Sequence, residues 1–145
     1  MRMSDEPFAL QRTAAVVVVD DNPLVVDALS RRIALESDLT MLGSLNERDD
    51  IMSRLAELRP DVVLLDIDIP GVDGFELVRQ LGRELPGVRV VMFTGHARKD
   101  YFEQALASGA WGFVLKSAPT QYLLDAVRRV SRGEVVITDA DDPHR

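Results

Sequence analysis

Asp61-Val62-Val63-Leu64-Leu65-Asp66 is the stretch that decides the fold. Its apolar residues follow one another without alternation and end in an acid. A short continuous apolar run of this kind is the pattern of a strand buried on both faces, as in a parallel sheet. Arg59-Pro60 stops what precedes it, and Asp68-Ile69-Pro70-Gly71-Val72-Asp73-Gly74 follows with turn chemistry. The same pattern appears upstream. Ala14-Ala15-Val16-Val17-Val18-Val19 is a β-branched run that ends in Asp20-Asp21. Asn22-Pro23 then supplies a cap residue and a proline suited to a first helical position.

Between and beyond these two runs, strands and helices alternate. Val25, Leu29 and Ile33 recur at helical spacing, which predicts a helix over 23–36. Residues 39–45 read as a weaker strand, and 47–58 as an amphipathic helix with Ile51, Leu55 and Leu58 on one stripe. Phe75, Val78 and Leu81 mark a third helix, and residues 88–93 a fourth strand ending in Thr94-Gly95. Residues 98–108 form a fourth helix closed by Gly109, and 111–115 a fifth strand ending at Lys116. Residues 119–132 form a fifth helix with Leu123, Val127 and Val130 inward. One domain over 14–133 is expected, with a lead-in over 1–13 and an acidic tail over 134–145. The fold class is α/β: a doubly wound, five-stranded parallel sheet. Right-handed crossovers favour the strand order 2-1-3-4-5, with the fifth strand at an edge.

Composition narrows the function. The chain has 145 residues, 46% of them apolar, with a formal net charge of −7. That charge disfavours the counterion release on which nucleic-acid binding depends. The chain has no cysteine, so disulfides, thiol catalysis and Cys-ligated zinc are excluded. Two histidines, His96 and His144, are too few for a histidine metal cage. No apolar run nears the ~18 residues of a membrane span, and no signal core opens the chain. A cytoplasmic protein without membrane or direct nucleic-acid contact is expected.

The notable polar residues follow the carboxyl ends of strands: Asp20 and Asp21, Asp66, Thr94 and Lys116. In an open parallel sheet those ends form one crevice. The first and third strands would be neighbours about 4.8 Å apart, so the carboxylates of Asp20, Asp21 and Asp66 would converge. At an effective dielectric of about 20, two such charges ~4 Å apart repel by about 4 kcal/mol. A proton or a cation must relieve this. Mg²⁺ takes hard oxygen ligands, keeps several waters and pairs naturally with phosphate. Lys116 adds a fixed positive charge and Thr94 a hydroxyl donor. A nucleophilic carboxylate at Asp66, a metal, an ammonium and a donor are the parts phosphoryl transfer requires. Taken singly, each residue has a plainer role: helix cap for the acids, solvated side chain for Lys116, strand residue for Thr94, core for Phe113. The joint pattern carries the inference.

These residues lie in stretches that resemble receiver domains of two-component response regulators. The stretches are Val-Val-Asp-Asp at 18–21, Leu-Leu-Asp-Ile-Asp-Ile-Pro-Gly-Val-Asp-Gly at 64–74, Phe-Thr-Gly at 93–95 and Ala-Ser-Gly-Ala-Trp-Gly-Phe-Val-Leu-Lys at 107–116. The resemblance covers nearly all of 14–133 and implies a flavodoxin-like fold. It implies that Asp66 is the phosphoacceptor, that Asp21 ligates Mg²⁺ directly and Asp20 mainly through water, and that the backbone carbonyl of Asp68 completes the protein ligands. By the same resemblance Thr94 and Phe113 are a switch pair, Lys116 contacts the phosphoryl group, and the donor is a phosphohistidine on a sensor kinase or phosphotransfer protein. Such a chain is a phosphoacceptor switch that catalyses its own phosphotransfer and dephosphorylation rather than an enzyme acting on a separate substrate.

Three features differ from the commonest receiver pattern. Ser117-Ala118-Pro119 stands where a proline often follows the lysine directly, Phe113 stands where tyrosine is frequent, and Asp68 places an acid two residues past the acceptor. Asp68 and His96 are expected to flank the phosphoryl group and set how fast water removes it. Trp111 and Phe113, two apart on the fifth strand, are expected on one side, bordering an output surface of the fourth helix, fifth strand and fifth helix. That surface, or the first and fifth helices, would serve a homodimer. Asn22-Pro23-Leu24-Val25 and the run 128–134 resemble receivers of LuxR/NarL-type regulators, which precede a helix-turn-helix domain. Residues 133–145 are too few for one, which leaves a stand-alone receiver or part of a longer regulator.

Two rivals stand beside this. Asp66-Ile67-Asp68 also resembles the Asp-x-Asp motif of haloacid-dehalogenase-type phosphatases, with Asp66 as nucleophile and Asp68 as general acid. In that family the metal-binding acidic pair lies downstream of the motif, whereas here Asp20-Asp21 precedes it and Asp141-Asp142, which is downstream, falls in the tail. The other rival is a binding module on the same fold that works without phosphorylation.

Overall fold

The computed structural model describes residues 13–96 and 98–137. The lead-in up to residue 12, and Asp141, Asp142 and His144, lie outside the described residues. Strands and helices alternate as β1 (Ala14–Val19), α1 (Pro23–Ala34), β2 (Leu39–Leu45), α2 (Ile51–Leu58), β3 (Val62–Asp66), α3 (Gly74–Glu84), β4 (Arg89–Thr94), α4 (Lys99–Ser108), β5 (Gly112–Leu115), α5 (Thr120–Ser131) and β6 (Val136–Ile137). The sheet is parallel throughout, in the order β2-β1-β3-β4-β5-β6.

The sheet is wound on both faces. Val17, Val19, Val63, Leu65, Val90, Met92 and Phe113 meet Ile51 and Leu55 of α2, Phe75, Val78 and Leu81 of α3, and Ala105 of α4. Val16, Val18, Val62, Leu64, Val91, Phe93 and Val114 meet Leu29 and Ile33 of α1 and Leu123, Leu124, Val127 and Val130 of α5. Continuous apolar strands are therefore needed, because neither face is wet.

Local chemistry fixes the helix ends. The Asn22 side chain accepts from the Leu24 amide at 3.0 Å, with Pro23 opening α1. Asp50 caps α2 by accepting from the Ser53 amide, and Asp73 caps α3 by accepting from the Glu76 amide. The cap at Asp50 explains why α2 begins at Ile51, the first residue of its apolar stripe, rather than at residue 47 as expected: residues 46–49 form a turn in which Asp49 accepts from the Asn46 amide at 2.8 Å. Gly109 ends α4 at φ 94, in the left-handed region that glycine enters at no steric cost.

Two expectations need correction. The sheet has six strands rather than five: Val136 and Ile137, in the stretch read as tail, pair with Gly112 and Phe113. Consequently β5 is not an open edge over those two residues. The second correction concerns Trp111. It lies ahead of β5 and packs with the α1/α5 face, whereas Phe113 packs with the α2/α3/α4 face. Strand alternation begins only at Gly112, so it does not reach back to place Trp111 beside Phe113. The Arg89 guanidinium covers the indole at 4.7 Å from the ring centroid.

Register between β1 and β3 is pinned at the amino end. The Asp61 amide donates to the Ala15 carbonyl and the Asp61 carboxylate accepts from the Ala15 amide, both at 2.8 Å.

Candidate functional site

Sheet register brings the strand-end residues together. Val19 stands opposite Leu65, so Asp20 and Asp66 emerge side by side at the carboxyl end of β1 and β3. Thr94 stands opposite Leu115 across β4 and β5, and the Lys116 amide donates to the Thr94 carbonyl at 2.6 Å.

One oxygen each from Asp20, Asp21 and Asp66 lies within 4.8 Å of the others. Asp20 and Asp66 are buried, 3% and 5% exposed, while Asp21 is on the solvent side. The Lys116 ammonium donates to Asp20 Oδ2 at 3.0 Å and lies 3.6 Å from Asp66 Oδ2. Asp20 Oδ1 accepts from the Asn22 amide at 2.9 Å, and Asp66 Oδ1 from the Asp68 amide at 3.1 Å. These bonds hold both carboxylates in fixed rotations. Burial pushes the Asp66 carboxyl above its usual value; the Asp20 charge adds to this, while the Asp68 amide and Lys116 oppose it.

Three carboxylates face one ammonium, so negative charge remains uncompensated in a partly dry crevice. An all-oxygen donor set with excess negative charge fits a hard divalent cation such as Mg²⁺, which completes its shell with water. Asp20, Asp21 and Asp66 are the side chains that would hold it.

A second cluster sits beside the first. The Thr94 side chain is fully buried; its hydroxyl donates to Asp68 Oδ2 at 3.2 Å and accepts from the His96 amide at 3.1 Å. His96 Nδ1 lies 2.9 Å from the same Asp68 oxygen. The Tyr101 hydroxyl on α4 donates to Asp68 Oδ1 at 3.1 Å. Burial raises the Asp68 carboxyl, but the bonds from His96, Tyr101 and Thr94 outweigh it and hold it below the usual range. The two clusters meet at Asp68, whose amide serves Asp66 while its carboxylate holds Thr94.

Phe113 is 1% exposed and meets the edge of Phe102 on α4, with ring centroids 6.3 Å apart and planes at 90°. The structure thus brings together Asp20, Asp21, Asp66 and Lys116, and separately Asp68, Thr94 and His96. Trp111 belongs to neither group. Tyr101 and Phe102 were not legible as site residues in the sequence. Their only signal is two adjacent aromatics in the first turn of a helix, a feature that core packing explains equally well.

Comparison with known proteins adds the family. The model described as "Response regulator receiver domain" matches residues 16–128. The transcriptional regulatory protein YxjL of Bacillus subtilis is 31% identical over 121 residues, which are 83% of this chain and 56% of YxjL. The response regulator protein VraR of Staphylococcus aureus is 32% identical over 124 residues, 86% of this chain and 59% of VraR. The chain therefore spans somewhat more than half the length of these curated relatives. Among solved structures, the signal receiver domain of the NarL regulator from Mycobacterium tuberculosis superimposes with a TM-score of 0.78 at 31% identity, over 85% of this chain and 99% of that one. A LuxR-family two-component response regulator from Aurantimonas gives a TM-score of 0.82 at 26% identity, over 90% and 94%. No helix among the described residues is long and apolar enough to cross a membrane.

Proposed function

The chain belongs to the response regulator receiver domain family, and on that premise we propose that Asp66 accepts a phosphoryl group from a phosphohistidine of a sensor kinase or phosphotransfer protein. The observation that carries this is the convergence of Asp20, Asp21 and Asp66 within 4.8 Å, with the Lys116 ammonium 3.6 Å from Asp66. An Asp66 oxygen attacks phosphorus and the P–N bond to the donor imidazole breaks; that ring carries a proton on its other nitrogen, so it takes the bonding pair and leaves as neutral imidazole. In the reverse sense of the signal, water attacks the same phosphorus and the Asp66 carboxylate leaves.

The chain's own groups serve both steps. The Asp68 amide fixes the rotation of the nucleophile, and Lys116 neutralises charge that grows on the equatorial oxygens. Bound Mg²⁺ supplies further neutralisation of that charge and lowers the mutual repulsion of the three acids. A phosphoryl group adds about 1.5 to 2 negative charges and three acceptor oxygens, to which the Thr94 hydroxyl can turn. Moving Thr94 vacates space beside buried Phe113, whose edge contact with Phe102 then passes the change to α4. The output is a change in the surface of α4, β5 and α5, presented to a partner protein, a second copy or an output domain.

Acetyl phosphate or phosphoramidate with Mg²⁺ tests the reading. Intact mass rises by one phosphoryl group, and Asp66→Asn abolishes the rise. Turnover of a phosphomonoester without a stable adduct would instead support the phosphatase rival. Following the adduct with time tests the role of Asp68 and His96 in its loss: the lifetime changes when both are substituted, and an unchanged lifetime rejects that role.

A further inference from the structure

The geometry points to Tyr101 as a positioning residue of a latch, centred on Asp68, that holds Thr94 away from Asp66 until a phosphoryl group arrives. The inference rests on Asp66 being the phosphoacceptor.

A threonine hydroxyl has one proton to donate. Thr94 donates it to Asp68 Oδ2 at 3.2 Å, and the lone pairs left over accept the His96 amide. It therefore cannot donate to a phosphoryl oxygen on Asp66 without giving up Asp68. The two arrangements exclude each other through a single proton.

Asp68 does not hold that position by Thr94 alone. Its carboxylate is gripped at both ends, with Tyr101 on Oδ1 and Thr94 together with His96 on Oδ2. The grip on Oδ1 sets the rotation that aims Oδ2 at Thr94. Tyr101 can do this because its ring is fixed independently of its hydroxyl. It packs on Phe75 of α3 at 6.0 Å between centroids, and the Arg98 guanidinium covers it at 4.8 Å. Arg98 is itself held by Asp100 through two bonds of 3.0 and 2.9 Å. The latch thus ties three elements together: the loop after β3, the end of β4 and the first turn of α4.

A phosphoryl group on Asp66 brings negative charge next to the Asp68 carboxylate, whose amide is already bonded to Asp66. Repulsion turns the carboxylate outward, which breaks the Thr94 and Tyr101 bonds together. Thr94 is freed for the phosphoryl oxygens, and in the same event the first turn of α4 loses its bond to the loop after β3 while the Tyr101 ring stays packed on Phe75. Removing the Tyr101 hydroxyl weakens only the latched arrangement, so it favours the released one.

Titration of the 145-residue chain with beryllofluoride in excess Mg²⁺, followed by ¹⁹F NMR, tests the latch. Tyr101→Phe keeps the ring packing and lowers the half-saturating beryllofluoride concentration by about 5-fold, the low end of typical couplings between sites. In an Asp68→Ala background the same Tyr101→Phe change has no further effect. Amide exchange in the first turn of α4 of the ligand-free protein is faster in Tyr101→Phe. Damage to packing weakens binding, whereas the latch requires a gain, so the sign separates the two. Equal or weaker binding by Tyr101→Phe overturns the latch, as does a gain that persists at full size without Asp68. Failure of the unchanged chain to bind, or binding that survives Asp66→Asn, overturns the phosphoacceptor reading and the latch with it; Asp66-dependent binding that Tyr101→Phe leaves unaltered overturns the latch alone.

Discussion

Burial pushes the Asp66 carboxyl above its usual value of 3.8, and the charge of Asp20 pushes the same way, while the Asp68 amide and Lys116 pull it back. The native protein therefore binds this proton more tightly than the unfolded chain does. The resulting stabilisation is complete below pH 3.8 and is lost as pH rises through the elevated native value. At neutral pH without divalent cations, the ionised side chain destabilises the fold. Asp66→Asn keeps an acceptor for the Asp68 amide and removes the charge. It is expected to raise the melting temperature at pH 7.5 in a chelator, and the gain should shrink to nothing as the pH is lowered toward 4. A gain independent of pH would mean that something other than this charge is responsible. Mg²⁺ should raise the melting temperature of the unchanged chain and have little effect on Asp66→Asn.

Elements differed in how plainly the sequence announced them. The strands β1 and β3 were legible because both are uninterrupted apolar runs closed by acids; their ends located Asp20, Asp21 and Asp66, and the ends of β4 and β5 added Thr94 and Lys116 at the same end of the sheet. β6 was not, because two paired residues make no pattern; Val136 and Ile137 become a strand only by finding β5. Tyr101 was illegible for a different reason: its partner lies 33 residues away across a loop, and no local spacing encodes such a bond. Gly112 is a case where the structure explains a residue that the sequence left mute. A methyl group at its Cα would meet Val91 side-chain carbons at 2.9 and 3.1 Å, and Val91 is itself fully buried. Gly112→Ala is therefore expected to cost about 1 to 3 kcal/mol in denaturant unfolding. The double variant with Val91→Ala should be less destabilised than the sum of the two single changes. Simple additivity would place the strain elsewhere.

Across the whole molecule, the end of the sheet opposite Asp66 is held by ions rather than switched by them. Arg128 of α5 reaches Asp38 through bonds of 2.6 and 3.0 Å and also engages Glu36 and Asp125. Glu36 is shared with Arg32 of α1. This network ties α5 to the turn between α1 and β2. Hydrogen bonds from Arg128 hold the Asp38 carboxyl below its usual value, and those from Arg32 and Arg128 do the same for Glu36. For an acid with a depressed native pKa, the stabilisation is present above the ordinary value and fades as pH falls through the native one. Arg128→Met should thus lower the melting temperature at pH 7 by about 4 °C, with the difference narrowing below pH 4 where both acids protonate. A difference that stays constant to pH 2 would assign the loss to packing instead.

The pairing of Asp61 with Ala15 has a consequence for assembly. Because β1 and β3 are greasy on both sides, sliding one past the other by a single residue sacrifices little apolar contact. It would, however, displace Asp20 by about 3.3 Å and turn it to the far side of the sheet. The core tolerates such an error, but the acid pocket does not. Asp61, far from that pocket, is then the residue that keeps the strands in step. A chain lacking its carboxylate would be expected to fold compactly while a fraction of its molecules fails to take up a divalent ion, so that cation stoichiometry, rather than melting temperature, exposes the misaligned population.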